Sequence, residues 1–549
     1  MSKAIVGLLG LFLAASAPAG AAGVVPPLTG FVVHFDFLAN RQEARELVRF
    51  AASHGAEVIN VVPPAHVWES RLAVDMLDDI VDEAGRQNLK ILFTRIDAAL
   101  PSVGGKEREY YLYDHILDEP GRMPDGSPST RYFLTTAGRR GYAEWMEEET
   151  RYYAIHYGRL PNLLGINLGP FSEPFASERG GFLEYMRETD RYELTQYTPE
   201  ATQLWHEWLQ LHYGDIAGVN REYQTSFAGI SQVPLPRNEL DLRFGSRAYA
   251  AYFDFVRTLN DWFVERYERC RRIWHEVSGR DDVPFILQFS GSAAEKLAKA
   301  RPAAAAFDVA GWIVRADAVG LSLYTNSGYP DYGHASVAAT VRLVALARDL
   351  DKKVFVLEGG CEAPNVVLDE AELRFIAFAA NSLAPQTWIY EFLKDKFNEE
   401  YRSNPGKLVR ADGSARPAAV GLMGVLFREI QQNSPSVEAP VLAVSVDAMA
   451  ARNDAKLAAA SLALFDLAAM APVRWTTPAT EHSLPAGIPR VRFSESMEMT
   501  GLARALLAAP EPGSGERDAW VNEITTQLSN SPGLRPQPGL ADSRNRQTH

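Results

Sequence analysis

The 549-residue chain is 46% hydrophobic and 23% charged, an ordinary globular composition that argues against a disordered or fibrous protein. Its 55 Lys and Arg stand against 69 Asp and Glu, a formal charge of −14. With no basic run present, the balance argues against nucleic acid or an anionic membrane surface as a partner.

Residues 1–22 read as a signal peptide. Lys3 gives a short positive region, 4–15 an apolar stretch, and Ala17-Pro18-Ala19 and Ala19-Gly20-Ala21 small-residue cleavage sites. Export to the periplasm or the extracellular space is therefore expected. Gly7, Gly10 and Pro18 interrupt the apolar run, which falls short of the roughly 20 residues a membrane span needs. No second run is long enough, so no membrane insertion is expected after processing.

From Gly30 onward, short apolar runs rich in β-branched residues alternate with amphipathic helical stretches, the pattern of parallel βαβ units. Eight strands are predicted, at 31–36, 56–63, 89–95, 163–169, 283–290, 318–324, 353–358 and 386–392, with helices at 41–54, 73–87, 138–156, 337–350 and 370–381. Eight such repeats predict an α/β fold, a (β/α)8 (TIM) barrel over residues 24–432. A doubly wound open sheet uses the same unit, but the turn after the first strand is Phe37-Leu38-Ala39-Asn40, not a glycine-rich phosphate loop. Long excursions follow the third strand (96–138) and the fourth (175–282), placing extra chain over the C-terminal mouth where barrel enzymes carry their sites.

Beyond Gln432, residues 433–436 read as a linker. A small appended α/β domain is expected at 437–508, with strands at 441–446 and 473–476 around a helix at 455–469. Residues 509–549, rich in Pro, Gly, Ser and charge, read as a disordered tail. The two cysteines are Cys270, in a helical stretch, and Cys361, just past the seventh strand. Nothing in their placement forces a bond between them.

The chemistry is read at two strand ends. The fourth strand runs Leu163-Leu164-Gly165-Ile166-Asn167-Leu168-Gly169-Pro170-Phe171-Ser172-Glu173, and a charge that no barrel interior accommodates must emerge at the mouth. There Phe171 and Phe175 would desolvate Glu173, as a general acid working near neutral pH requires. The seventh strand runs Val354-Phe355-Val356-Leu357 straight into Glu358 and then Gly359-Gly360, which leave space for a ligand. Two carboxylates from well-separated strands meet the demand of acetal cleavage, a proton for the leaving oxygen and a nucleophile or base on the other face. A carbohydrate is thus the expected partner. Candidate platforms are Trp68, Tyr324, Trp388 and Tyr390, and candidate polar hooks are His34, Asp36, Asn60, Arg95 and Ser172. Tyr324 is also placed to hydrogen-bond Glu358. Ser290-Gly291-Ser292 lacks the frame of a nucleophile elbow, and no His-Glu-x-x-His motif is present, so neither metal nor cofactor is expected.

A Glu after the fourth strand and another after the seventh resembles glycoside hydrolase clan A. The resemblance implies a retaining enzyme with Glu173 as acid/base, Glu358 as nucleophile and Trp388 as the clan's strand-eight tryptophan. The run His212-Tyr213-Gly214-Asp215-Ile216-Ala217-Gly218-Val219-Asn220-Arg221-Glu222-Tyr223-Gln224-Thr225-Ser226-Phe227 is similar to the segment after the fourth strand in family 42 β-galactosidases. Two departures stand beside this. Ser172 occupies the place of the clan's usual Asn, which leaves room for a glycan-binding barrel without catalysis. Gly169-Pro170-Phe171-Ser172-Glu173 also resembles the Gly-Pro-x-Gly-Glu of the inverting β-amylases.

Overall fold

The computed structural model describes residues 25–35, 38, 40–64, 67–94, 121–128, 140–168, 182–186, 189, 191–237, 242, 246–300, 306–325, 334–361, 370–391, 393–394, 407–410, 412–432, 442–446, 452, 473–476, 484 and 490–493. The expected signal peptide, the 455–469 helix, the tail, and Asp36, Arg95, Ser172 and Glu173 lie outside the described residues.

Among the described residues, ten strands precede residue 400: β1 (Leu28–His34), β2 (Val58–Val62), β3 (Lys90–Thr94), β4 (Leu163–Asn167), β5 (Leu183–Met186), β6 (Arg191–Leu194), β7 (Ile286–Ser290), β8 (Ala318–Thr325), β9 (Lys353–Cys361) and β10 (Thr387–Tyr390). β5 and β6 form an antiparallel hairpin inside the long excursion. The other eight make one parallel sheet in the order β4-β3-β2-β1-β10-β9-β8-β7. Its two ends meet at Ile166, which bridges Phe285 and donates its N–H to Pro284 O at 3.1 Å, so the sheet curls into a barrel. All eight predicted strands are present.

Strand side chains alternate between two apolar layers. Val32, Val58, Leu92, Ile286, Ala318, Phe355, Leu357 and Ile389 fill the barrel interior. The residues between them, such as Val33, Ile59, Leu287, Leu321 and Val356, pack outward against the helices. The helices start where the sequence supplies caps: Asn40 accepts from Glu43 N before Arg41–Ser53, and Ser70 accepts from Ala73 N before Arg71–Arg86.

The β4–β7 seam is held by the single bridge Ile166↔Phe285 among the described residues. Gly165 permits the approach, since a Cβ there would lie 2.7 Å from Ile286 Cδ1. The 32-residue helix Arg247–Ser278 clamps the seam from outside. Tyr267 donates its hydroxyl to Phe285 O at 2.6 Å, and Trp274 Nε1 donates to Val283 O at 2.9 Å. Asp317, just before β8, takes a 2.6 Å contact from His275 Nε2, a 2.9 Å bond from Arg271 and the Phe285 N–H at 3.1 Å.

The run that resembles family 42 builds local architecture. Gly214 takes a positive φ of 77° between the helices Pro199–Tyr213 and Ile216–Tyr223, and Asp215 caps the second by accepting from Gly218 N. Asn220 Oδ1 accepts from Thr225 Oγ1 and Phe227 N, both at 2.9 Å, while its Nδ2 donates to Phe227 O at 2.8 Å. The hydroxyls of Tyr213 and Tyr223 donate to Asp254 of the long helix. Arg452, from beyond the barrel, closes on the same carboxylate with two 2.6 Å bonds.

Further on, β11 (Leu442–Val446), β12 (Val473–Thr476) and β13 (Arg490–Phe493) form a parallel three-stranded sheet with β11 in the middle. The sequence predicts the first two and not β13. Arg474 of β12 ion-pairs with Asp349 at the end of the helix His334–Asp349. Cys270 is a buried free thiol whose pKa burial pushes up to about 12, so it is unreactive near neutrality.

Two stability effects follow. The hydrogen bond to Asp317 raises the His275 pKa, so the pair's contribution is complete below the unfolded histidine value of about 6.5 and is lost as pH rises through the higher folded value. The melting-temperature gap between wild type and His275→Asn should therefore shrink as pH rises above about 6.5; a constant gap contradicts this. Asp254→Ala leaves the Arg452 charge buried against fewer acceptors and should cost about 3–5 kcal/mol, read by urea unfolding, with a loss under about 1 kcal/mol contradicting the clamp.

Candidate active site

A one-residue irregularity decides where Glu358 points. Leu321 of β8 pairs with Val356 of β9, but the next residue, Ser322, pairs with Glu358, so Leu357 is the extra residue of a β-bulge. In an unbroken register Glu358 would stand beside Leu323, which faces the helix layer. The bulge reverses the alternation and brings Glu358 onto the inward face shared with Ser322. Leu357 itself also points inward, into space kept open by Gly320, where a Cβ would lie 2.4 Å from Leu357 Cδ1. A second shift, Ile91↔Leu163 followed by Leu92↔Gly165, sits in β4, the strand that leads to Glu173.

Glu358 is fully buried, and a buried carboxylate has to be hydrogen-bonded. Gln288 Nε2 of β7 donates to its Oε1 at 3.0 Å, and the Tyr324 hydroxyl of β8 donates to its Oε2 at 2.8 Å. The same Gln288 nitrogen donates to Ser322 Oγ at 2.5 Å, tying three neighbouring strands into one row. Each oxygen thus has a neutral donor, and these two bonds orient the carboxylate. One pleat further toward the mouth, buried Lys296 donates to Ser290 Oγ at 3.1 Å.

The sequence-predicted residues divide. Tyr324 and Glu358 meet. His34, at the end of β1, is buried and sits 3.2 Å from Glu391 Oε1, just past β10. Glu391 is missing from the sequence reading. It follows Ile389, an interior residue, by two positions, so the period-two alternation turns it inward. Asn60 is fully buried, and its amide is spent inside the barrel: Nδ2 donates to Leu357 O at 2.7 Å, and Oδ1 accepts from Thr94 Oγ1 at 2.6 Å. It is therefore not a substrate hook.

The strand-eight aromatics require the largest correction. Trp388 and Tyr390 flank the inward Ile389 and point the other way, into the layer between sheet and helices. Trp388 lies edge-on to Phe427 of the helix Pro417–Gln432, with ring centroids 5.9 Å apart, and Tyr390 lies edge-on to Phe31 at 6.5 Å. Both face the helix layer, away from the barrel interior that Glu358 shares, which removes them as sugar platforms and breaks the match of Trp388 to the clan's tryptophan. Trp68, in a short turn after β2, packs on Tyr152 of the helix Arg140–His156 at 4.8 Å.

No protein-family model matches the sequence, and no curated protein matches it. Solved structures do resemble the fold. A β-galactosidase from the psychrophilic Marinomonas ef1 is similar with a TM-score of 0.61 at 14% identity, covering 88% of this chain and 74% of that one. A β-galactosidase from the haloarchaeon Halorubrum lacusprofundi gives 0.58 at 16% identity over 82% of this chain and 67% of its own length. The catalytic domain of a β-amylase from Paenibacillus polymyxa gives 0.52 at 13% identity over 75% and 99%. The chain therefore has the (β/α)8 barrel fold that these glycosidase structures share.

Proposed function

We propose that the protein is an exported retaining β-glycosidase acting on a β-linked oligo- or polysaccharide, with β-galactosidase-like specificity. The observation that carries the reading is the buried Glu358 carboxylate at the C-terminal end of β9, held by Gln288 and Tyr324 in one orientation. A nucleophile attacking an anomeric carbon needs that fixed geometry, since rate depends steeply on the approach of the reacting atoms. In this reading Glu358 forms the glycosyl-enzyme while Glu173 protonates the leaving oxygen, and Glu173 then takes a proton from the water that releases the sugar. Resemblance to clan A and likeness to the β-galactosidase structures support the roles and the sugar class. The N-terminal charge and apolar pattern supports export.

His34 and Glu391 supply paired polar atoms beside the Glu358 strand, suited to the hydroxyls of a bound sugar. The likeness to the β-amylase domain gives a specific alternative, inversion through a base-activated water. The product separates the two: NMR of the first-formed sugar should show the β-anomer from a β-glycoside, and an α-anomer would establish inversion.

Assays on a panel of aryl β-glycosides should find turnover, strongest on the galactoside. Glu358→Gln should lose at least about 10³-fold in kcat, as expected when a nucleophile is removed. Binding without turnover by the wild type would overturn the enzyme reading in favour of a glycan-binding barrel. Tyr324→Phe removes one hydrogen bond to a charged group, worth about 1.5–3 kcal/mol, so kcat should fall about 10- to 100-fold. An unchanged kcat would show that Tyr324 does not hold the reactive carboxylate.

A further inference from the structure

We infer that Asn60 is a positioning residue for Glu358, acting across the barrel interior through the backbone of the β9 bulge. The inference rests on the glycosidase reading of Glu358. β2 and β9 are not neighbours, since β1 and β10 stand between them in the sheet. Asn60 nevertheless reaches Leu357 O at 2.7 Å, and Leu357 is the extra residue that turns Glu358 inward.

The contact has a physical cause. Both Asn60 and Leu357 are fully buried, and a buried carbonyl left without a donor costs free energy comparable to a lost hydrogen bond. The Asn60 amide supplies that donor. Thr94 of β3 fixes which way the amide faces, because its hydroxyl donates at 2.6 Å to Asn60 Oδ1 and leaves Nδ2 aimed at the bulge. Gly320 completes the seat by making room for the Leu357 side chain. The bulge is thereby gripped at its carbonyl from β2 and at its side chain from β8, and the next residue is the carboxylate.

Asn60→Leu tests this, because it keeps about the size of the side chain, adds no charge to the barrel interior and removes the donor to Leu357 O. Active sites are counted by titration with 2,4-dinitrophenyl 2-deoxy-2-fluoro-β-D-galactoside, and kcat and KM are then measured per titrated site. A shift of the carboxylate by a fraction of an ångström should lower kcat per site about 10- to 100-fold while KM stays within about threefold. A merely structural Asn60 would reduce the number of titratable sites and leave kcat per site unchanged, which overturns the inference. Thr94→Val, which frees the amide to rotate, should move kcat per site in the same direction by less, and it decides the matter if the Leu variant does not fold. A wild type with no titratable sites would instead overturn the glycosidase reading, and this inference with it.

Discussion

The arrangement depends on one extra residue in one strand. A parallel barrel gives each strand position a fixed side, and a side chain on the wrong side is buried against helices. Leu357 breaks that rule once, between Val356 and Glu358, so the seventh barrel strand presents two successive residues to the interior. The first fills the core, and the second becomes the carboxylate of the candidate site. The neutral donors around Glu358, Gln288 and Tyr324, come from the two preceding strands on one side of it, whereas the support of the bulge comes from β2 across the interior.

The same barrel closes through a narrow seam. Ile166 and Phe285 make one bridge, and the long helix Arg247–Ser278 compensates with side-chain bonds to the start of β7. That helix also carries Asp254, which gathers two tyrosines and Arg452. The excursion that feeds the helix is thus tied at one end to the barrel seam and at the other to chain beyond the barrel. Conserving such a seam matters for the site, since Gln288 lies on the strand it anchors.

Much of the fold is legible in the sequence because eight apolar runs spaced by amphipathic helices have few other solutions. Position at the strand ends is legible too: Glu358 and Tyr324 can be named from where apolar runs stop. Facing is not. Thr387–Tyr390 is buried on both sides, so nothing in Trp388-Ile389-Tyr390 says which residue looks inward, and the platform role given to its aromatics fails while Glu391 is passed over. The bulge is equally silent, because Val354-Phe355-Val356-Leu357 reads the same with or without an added residue. Asn60 looks like a ligand hook in sequence for a related reason: a buried amide serving a distant carbonyl and one serving a sugar are the same letter. The Gly, Asp and Asn of the His212–Phe227 run are consumed by caps and turns, so that motif speaks to local architecture and not to the site.

The central claim is that the bulge delivers Glu358 as the nucleophile of the barrel mouth. The crystal structure of the protein after reaction with 2-deoxy-2-fluoro-β-D-galactosyl fluoride addresses it directly. The account predicts a covalent bond from a Glu358 carboxylate oxygen to the anomeric carbon, with Ser322 opposite Glu358 and Leu357 unpaired between them. A sugar bonded to another residue, or Glu358 opposite Leu323 and turned into the helix layer, would contradict it.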